Sequence, residues 1–187
     1  MNETIKTILS RRSVRAYQQE QIKEEELMTI LEAGRFSPSG MNRQSWLFTV
    51  VQSKEMLKKI NEACRNSLLK SGNPAMEERA RRSDFSAFYN APTLIIVSGD
   101  KNLMTAQYDC TLALGYMFLA AASLNIGSCW VHGITVMLNS EDGKELKKEL
   151  GIPEEYQVYS SGAFGYKATE PTCPPKKQLD EIMKIIK

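Results

Sequence analysis

The run from Leu112 to Leu124 limits what this chain can fold into more than any other stretch. Leu112, Ala113, Leu114, Tyr116, Met117, Phe118, Leu119, Ala120, Ala121 and Ala122 would surround a helix on all sides. A helix that is apolar all round has to be buried all round. The run is shorter than the roughly 18 apolar residues of a membrane span, so a membrane is excluded as the covering medium. The segment is therefore expected to be the core of a long helix from about Asn102 to Leu124. In a chain of 187 residues, burial on every side is easiest if part of that helix packs against a second copy. A homodimer is expected on this ground, the alternative being the central helix of a monomer.

Helical spacing recurs at Ile5, Ile8 and Leu9, and again at Leu27, Ile30, Leu31 and Gly34. Glu24, Glu25 and Glu26 stand in the first turn of the second helix, where the dipole favours acids, and Pro38 and Gly40 stop it. Trp46 to Val51 is short, aromatic and β-branched and reads as a buried strand. Met56, Leu57, Ile60, Ala63 and Cys64 mark a third helix. Ser71 to Ser83, broken by Gly72, Asn73 and Pro74, reads as a loop or short helix. Further strands are expected at Thr93–Val97, Cys129–Val131 and Gln157–Tyr166. Ser140 opens a helix that ends at Gly151. Pro171, Pro174 and Pro175 form a stiff connector to a last segment, Leu179 to Ile186. Helices alternating loosely with few strands predict a layered α+β fold, in one domain spanning residues 1–187.

Composition removes several classes of function. The net charge of +2 is too small to imply a nucleic-acid partner. The four cysteines, Cys64, Cys110, Cys129 and Cys173, form no CxxC pair, and His132 is the single histidine. Neither a zinc site nor a dithiol redox centre is expected. Unpaired thiols and an N-terminus without a signal-peptide core fit the cytoplasm.

Two segments carry chemistry. Arg11-Arg12-Ser13-Val14-Arg15 gathers three permanent cations and a hydroxyl within five residues. Guanidinium forks suit a phosphate dianion, and in an extended segment Arg11, Ser13 and Arg15 would share a face. A solvated basic helix end would look the same. The second segment, Ser37 to Trp46, is a turn of Pro38, Ser39, Gly40 and Asn42 whose backbone can approach a ligand closely. Asn42 and Gln44 offer both donors and acceptors, which matches the alternating pyrimidine edge of a flavin; an ordinary helix-to-strand loop is the alternative. His132 invites a reading as a general acid, but a lone histidine is expected to be structural. Trp46 and Trp130 read as core or pocket wall.

The ordered set is more specific than its parts. Arg-Arg-Ser-Val-Arg-x-Tyr, a helix, then Pro-Ser-x-x-Asn-x-Gln-x-Trp leading into a strand resembles the FMN-dependent nitroreductase family. The Ala/Leu-rich helix, Leu124 to Trp130, and Gly165-Tyr166 continue the likeness, which covers roughly residues 5 to 187. The resemblance implies a three-layer αβα fold with a central, mainly antiparallel sheet, and a homodimer with two FMN sites at its interface. It also implies that Arg11, Arg12, Ser13 and Arg15 hold the FMN phosphate and ribityl chain. Pro38, Ser39, Gly40 and Asn42 would come from the partner subunit. Trp130, Val131, His132 and Gly133 would give backbone contacts near the ring, and Lys176 or Lys177 would meet the phosphate. NADH or NADPH would reduce the flavin, and a nitroaromatic, quinone or other electron-poor small molecule would then be reduced at the same ring face, giving ping-pong kinetics. In such enzymes the flavin does the hard chemistry and the protein positions it, so no catalytic side chain is assigned. The chain departs from the family at Ser45 and Lys167, where proline is usual, and at Leu114-Gly115, where Gln-Asn is common. These positions bear on the substrate pocket more than on the phosphate.

Alternatives are a specialised flavin enzyme of the same superfamily (a reductive dehalogenase or a flavin-consuming enzyme) and, from another class, a basic nucleic-acid-binding module. The last would read Arg11–Arg15 and Arg79-Ala80-Arg81-Arg82 as one patch, although Glu77, Glu78 and Asp84 flank the second cluster.

Overall fold

The strand Thr93–Asp100 shows how the layers arise. In the computed structural model, which describes all 187 residues, Thr93 to Gly99 of this strand are all buried. Successive side chains point to opposite faces. Leu94 and Ile96 enter one hydrophobic cluster and Ile95 and Val97 the other. A strand covered on both faces has no reason to alternate apolar with polar residues, and Leu-Ile-Ile-Val does not.

In chain order the elements are α1 (Glu3–Ser10), α2 (Glu24–Arg35), β1 (Trp46–Val51), α3 (Lys54–Leu69), α4 (Pro74–Arg81), β2 (Thr93–Asp100), α5 (Ala106–Ser123), β3 (Ile126–Trp130), α6 (His132–Leu138), α7 (Lys144–Glu149), β4 (Tyr156–Tyr166) and α8 (Leu179–Ile182). The sheet order is β1-β2-β4-β3, and every neighbouring pair is antiparallel. On one face, α3 and α6 bring Leu57, Ile60, Ile134 and Met137 onto Leu94, Ile96 and Ala163. On the other, α2 and α5 bring Ile30, Leu114, Met117 and Phe118 onto Ile95, Val97 and Phe164. The architecture is a three-layer αβα sandwich of mixed α+β class. The helices α2 and α5 cross closely because Gly34 has no side chain: a Cβ there would lie 2.3 Å from the Met117 methyl.

Helix ends follow local capping chemistry. The side chains of Asn2 and Ser53 accept first-turn amides of α1 and α3. Asn73 accepts from Ala75 N and Met76 N, and Pro74 follows at the first helical position, so the Ser71–Ser83 stretch resolves into the short helix α4. Asn73→Ala is expected to cost about 1 kcal/mol. It should lower the thermal midpoint slightly and speed amide exchange in α4; unchanged exchange there would refute the cap.

Several expectations need correction. The strand β1 is an edge strand, half-buried from Trp46 to Val50 and buried only at Val51. The helix α5 starts at Ala106 rather than about Asn102, because Asn102 N and its side-chain amide both donate to Asp100 Oδ1 and hold a turn. The strand β3 begins at Ile126, ahead of Cys129, paired with Tyr166. The helix expected after Ser140 is divided into a 3-10 turn, Glu141–Gly143, and α7. The helix α6 was not anticipated: its sequence, His-Gly-Ile-Thr-Val-Met-Leu, carries strand-favouring residues, yet Ile134, Met137 and Leu138 fall on one buried face.

The apolar helix α5 is not the fully enclosed central helix of a monomer. Within one chain it is buried on one side only, through Cys110, Ala113, Leu114, Met117, Phe118 and Ala121. Tyr108, Leu112 and Tyr116 remain 66%, 45% and 41% exposed. No helix of the chain is long and apolar enough to cross a membrane.

Candidate flavin site

After α1, the chain runs extended along the free edge of β3. Ser13 makes a parallel bridge with Ser128, and Val14 N donates to Ser128 O at 3.0 Å. Val14 and Tyr17 are buried and anchor the segment, with the Tyr17 hydroxyl donating to Val14 O at 2.7 Å. Arg11, Ser13 and Arg15 are then left to face outward together. Their convergence is visible at Cys129: burial pushes this thiol up, while Arg15, the Ser13 hydroxyl and Arg11 pull it back.

Arg15 and Arg12 are held differently. The Arg15 side chain is exposed, and its guanidinium lies over the Tyr89 ring at 5.8 Å from the centroid. Contact with the Tyr89 hydroxyl and then the Cys129 thiol raises its already high pKa, so its charge is constant at any working pH. Tyr89 and the following Asn90 take left-handed φ values of 60° and 54°. Arg12 turns back on α1. Its Nη1 donates to Leu9 O at 2.7 Å and Arg11 O at 2.8 Å, and Nη2 reaches the Cys173 thiol at 2.7 Å. Its Nε is buried without a partner, which leaves one directional donor available.

A cavity of about 580 Å³ is lined by Arg11, Arg12, Ser13, Arg15 and Lys176. Glu170, the one acid on its wall, is paired with Lys167 at 3.4 Å. Four cations facing a single neutralised acid make a site for a dianion. Lys177 does not line it. A neighbouring cavity of about 510 Å³ shares Arg11 and Ser13 and is walled by Leu112, Tyr116, Phe118 and Trp130. The protein thus offers a cationic pocket opening beside an apolar, aromatic one. The largest cavity, about 840 Å³, lies elsewhere, between α7 and the start of β4. It holds none of the residues above. Two of its cations are already engaged, Lys144 with Glu141 and Lys147 with the Tyr156 carbonyl.

In the run Trp130 to Gly133, Val131 is tied to β4. Its N–H donates to Ser161 O at 2.9 Å and its carbonyl accepts from Ser161 Oγ at 2.6 Å. Its N–H is engaged, one lone pair of its carbonyl is left, and its side chain is core. Trp130 is 36% exposed on the apolar cavity. His132 and Gly133 open α6, where first-turn N–H groups have no intrahelical acceptor.

The turn at Pro38–Gln44 lies against the start of α5. Met41, Asn42 and Gln44 have φ of 50°, 53° and 46°. Left-handed backbone costs an ordinary residue roughly 1–2 kcal/mol, so the turn needs outside support. Ser39 Oγ accepts from Gln44 N at 3.1 Å, and Gln44 Nε2 donates to Asn42 Oδ1 at 2.9 Å. Gly40 N donates to Asp109 Oδ1 at 3.0 Å, and Thr105 Oγ1 donates to Asp109 Oδ2 at 2.9 Å. A Cβ on Gly40 would lie 2.5 Å from the Thr105 methyl. Pro38, Ser39, Gly40 and Asn42 line neither cavity of their own chain.

Asp109, Thr105 and Tyr89 were not singled out in the sequence. Asp109 had a signal: it is the single charged residue of α5. Tyr89 had none, since its place under Arg15 depends on the tertiary fold.

Comparison with known proteins agrees with this layout. The model described as the Nitroreductase family matches residues 8–166. A nitroreductase with bound FMN from Bacteroides fragilis is 37% identical, with a TM-score of 0.92 over 100% of both chains. A second, from Desulfitobacterium hafniense, also with bound FMN, is 31% identical with a TM-score of 0.88, again over 100% of both. An FMN reductase [NAD(P)H] of Bacillus subtilis is 29% identical over 97% of this chain and 73% of its own length. With its cationic edge segment, its clamped Pro-Ser-Gly turn and its αβα sandwich, the chain belongs to the nitroreductase family.

Proposed function

We propose that this protein is an FMN-dependent oxidoreductase that takes electrons from NADH or NADPH and reduces electron-poor small molecules such as nitroaromatics or quinones. The observation that carries the reading is the convergence of Arg11, Arg12, Arg15 and Lys176 on one cavity that opens beside an apolar, Trp130-walled one. The unpartnered Arg12 Nε and the constant charge of Arg15 fit a phosphate monoester. FMN, when bound, supplies two-electron chemistry between a reduced nicotinamide and an acceptor. The chain's own residues bind and orient. Arg11, Arg15 and Lys176 hold the phosphate, Arg12 adds its free Nε, Ser13 meets the ribityl chain, and Trp130 walls the ring. His132 is left without an obligatory proton-transfer role.

The working unit is a homodimer. The outer face of α5 leaves Leu112 and Tyr116 exposed, and Ile5, Ile8 and Leu9 of α1, which packs against α5, are 42–57% exposed. Burying such apolar area is the driving force for obligate association. The turn Pro38–Gln44 then serves the partner's flavin, which accounts for its absence from the walls of both cavities of its own chain. Nucleic acid fits less well, because Arg81 and Arg82 of the second basic cluster are paired with Glu77 at 3.0 Å and Asp84 at 2.8 Å. The four free cysteines, three of them buried, suit a reducing compartment such as the cytoplasm. Burial pushes the thiols of Cys64 and Cys110 up to about 12, which disfavours the reactive thiolate.

The test is anaerobic reduction. Protein reconstituted with FMN should bleach on addition of NADH or NADPH and regain its colour with a nitroaromatic or quinone. Initial rates against both substrates should give parallel double-reciprocal lines. Bound FMN that neither nicotinamide reduces would overturn the reading.

A further inference from the structure

Asp109 is the single charged residue of α5 and is only 3% exposed. A buried carboxylate has to be hydrogen-bonded to persist. Both oxygens of Asp109 are engaged, one by the Gly40 amide and one by the Thr105 hydroxyl. Around Gly40 the backbone does what chains avoid: Met41, Asn42 and Gln44 are all left-handed. Such conformations persist only where their surroundings over-determine them, and they collect at functional sites. The surroundings here are Asp109, which holds the Gly40 amide, and Thr105, which leaves no room for a side chain at Gly40. One donor of the Gln44 amide is tied to Asn42 Oδ1. The Asn42 side-chain Nδ2 group and the Gln44 side-chain Oε1 make no hydrogen bond within the chain, and both residues are exposed, leaving a donor and an acceptor side by side.

We infer that Asp109 is a positioning residue: through the Gly40 amide it fixes the left-handed turn so that Asn42 and Gln44 present a preset donor–acceptor pair to the ring edge of the flavin bound by the partner subunit. This rests on the reading of the turn as part of that flavin site. Its chemistry is preorganisation, since a pair held ready spends less ordering entropy on binding. It makes an unusual demand of α5. Leu112 and Tyr116 of this helix wall the cavity of their own chain, whereas Asp109, a turn earlier, acts on the site of the other.

The experiment uses the full-length dimer and equilibrium titration with FMN and with riboflavin. Asp109→Ala should weaken both flavins alike, by about tenfold, the scale of one displaced hydrogen-bonded contact. Asp109→Asn should restore most of the binding, because its Oδ1 still accepts from Gly40 N and its amide can donate to the Thr105 hydroxyl. On an Asn42→Ala background, Asp109→Ala should add little, because the two then lie on one line of action. The discriminating readout is complementation. In mixed dimers, Asp109→Ala should be rescued to half the sites by an Arg11→Ala, Arg15→Ala chain and not by an Asn42→Ala chain. Rescue by Asn42→Ala, or an additive loss with it, would overturn the inference and leave Asp109 as a support for its own helix. Should Asp109→Ala fail to fold, Thr105→Val, which removes one bond of the clamp, is read in the same way. If Asn42→Ala binds both flavins normally, the turn is not part of the flavin site and the inference falls with that reading. If Asn42→Ala binds weakly while Asp109→Ala binds normally, only the clamp is refuted.

Discussion

Arg15→Ala is expected to weaken FMN binding by about ten- to a hundredfold and to leave riboflavin binding nearly unchanged. The guanidinium is exposed at the cavity and makes no carboxylate ion pair, so its charge is free for an incoming phosphate. A hydrogen bond to a charged partner is worth about 1.5–3 kcal/mol, which is about one to two decades of affinity. Riboflavin lacks the phosphate and cannot report this loss, so the two titrations separate a missing ligand from a damaged fold. Stability should change by no more than about 0.5 kcal/mol, because the residue is on the surface. Full FMN occupancy after dialysis of the variant would remove Arg15 from the phosphate site.

Two defective chains are expected to make half a working dimer. An Asn42→Ala chain supplies intact arginines and a defective turn. An Arg11→Ala, Arg15→Ala chain supplies the reverse. Arg12 is left alone in this design because its guanidinium also closes the end of α1 on Leu9 O and Arg11 O. Each homodimer carries one defect in every site. If the turn serves the partner's flavin, a mixed dimer has one site with both defects and one with neither. Tight FMN binding should return to about half the sites, with stoichiometry read from bound-flavin absorbance in dimers purified through two different tags; this follows from symmetric exchange of parts across a two-fold interface. Mixed dimers that form and recover no tight site would mean that each site is built within one chain.

Much of the sandwich could be read from the chain, for reasons that differ by element. Trp46–Val51 and Thr93–Val97 stood out because apolar, β-branched runs bounded by turn residues have few other uses. Boundaries failed where a side chain decided them: Asp100 holds Asn102 in a turn and so delays α5. The helix α6 was hidden because its residues favour strands and only packing against α3 and β4 makes them helical. The apolar circumference of α5 was visible, but sequence cannot divide it between the chain's own core and an outer surface. At the site, the cationic segment and the Pro-Ser-Gly turn were both legible as residue types. What each arginine does was not. Arg12 folding back onto α1 and Arg15 resting on Tyr89 are rotamer choices set by neighbours 161 and 74 positions away, Cys173 and Tyr89 respectively.

The sheet order has a consequence for how the molecule comes into being. The strand β4 lies between β2 and β3, yet it is the last of the four to be synthesised. Until residue 166 has left the ribosome, β3 has no strand to pair with, and the Arg11–Arg15 segment, made first, has no completed edge to lie on. Closure of such distant pairings is the slow part of building an antiparallel sheet. Lys176 also lines the cationic pocket, so its first-made and last-made wall residues lie about 160 positions apart in the chain. A chain made only as far as β3 therefore has neither the completed edge nor the closed cationic cavity.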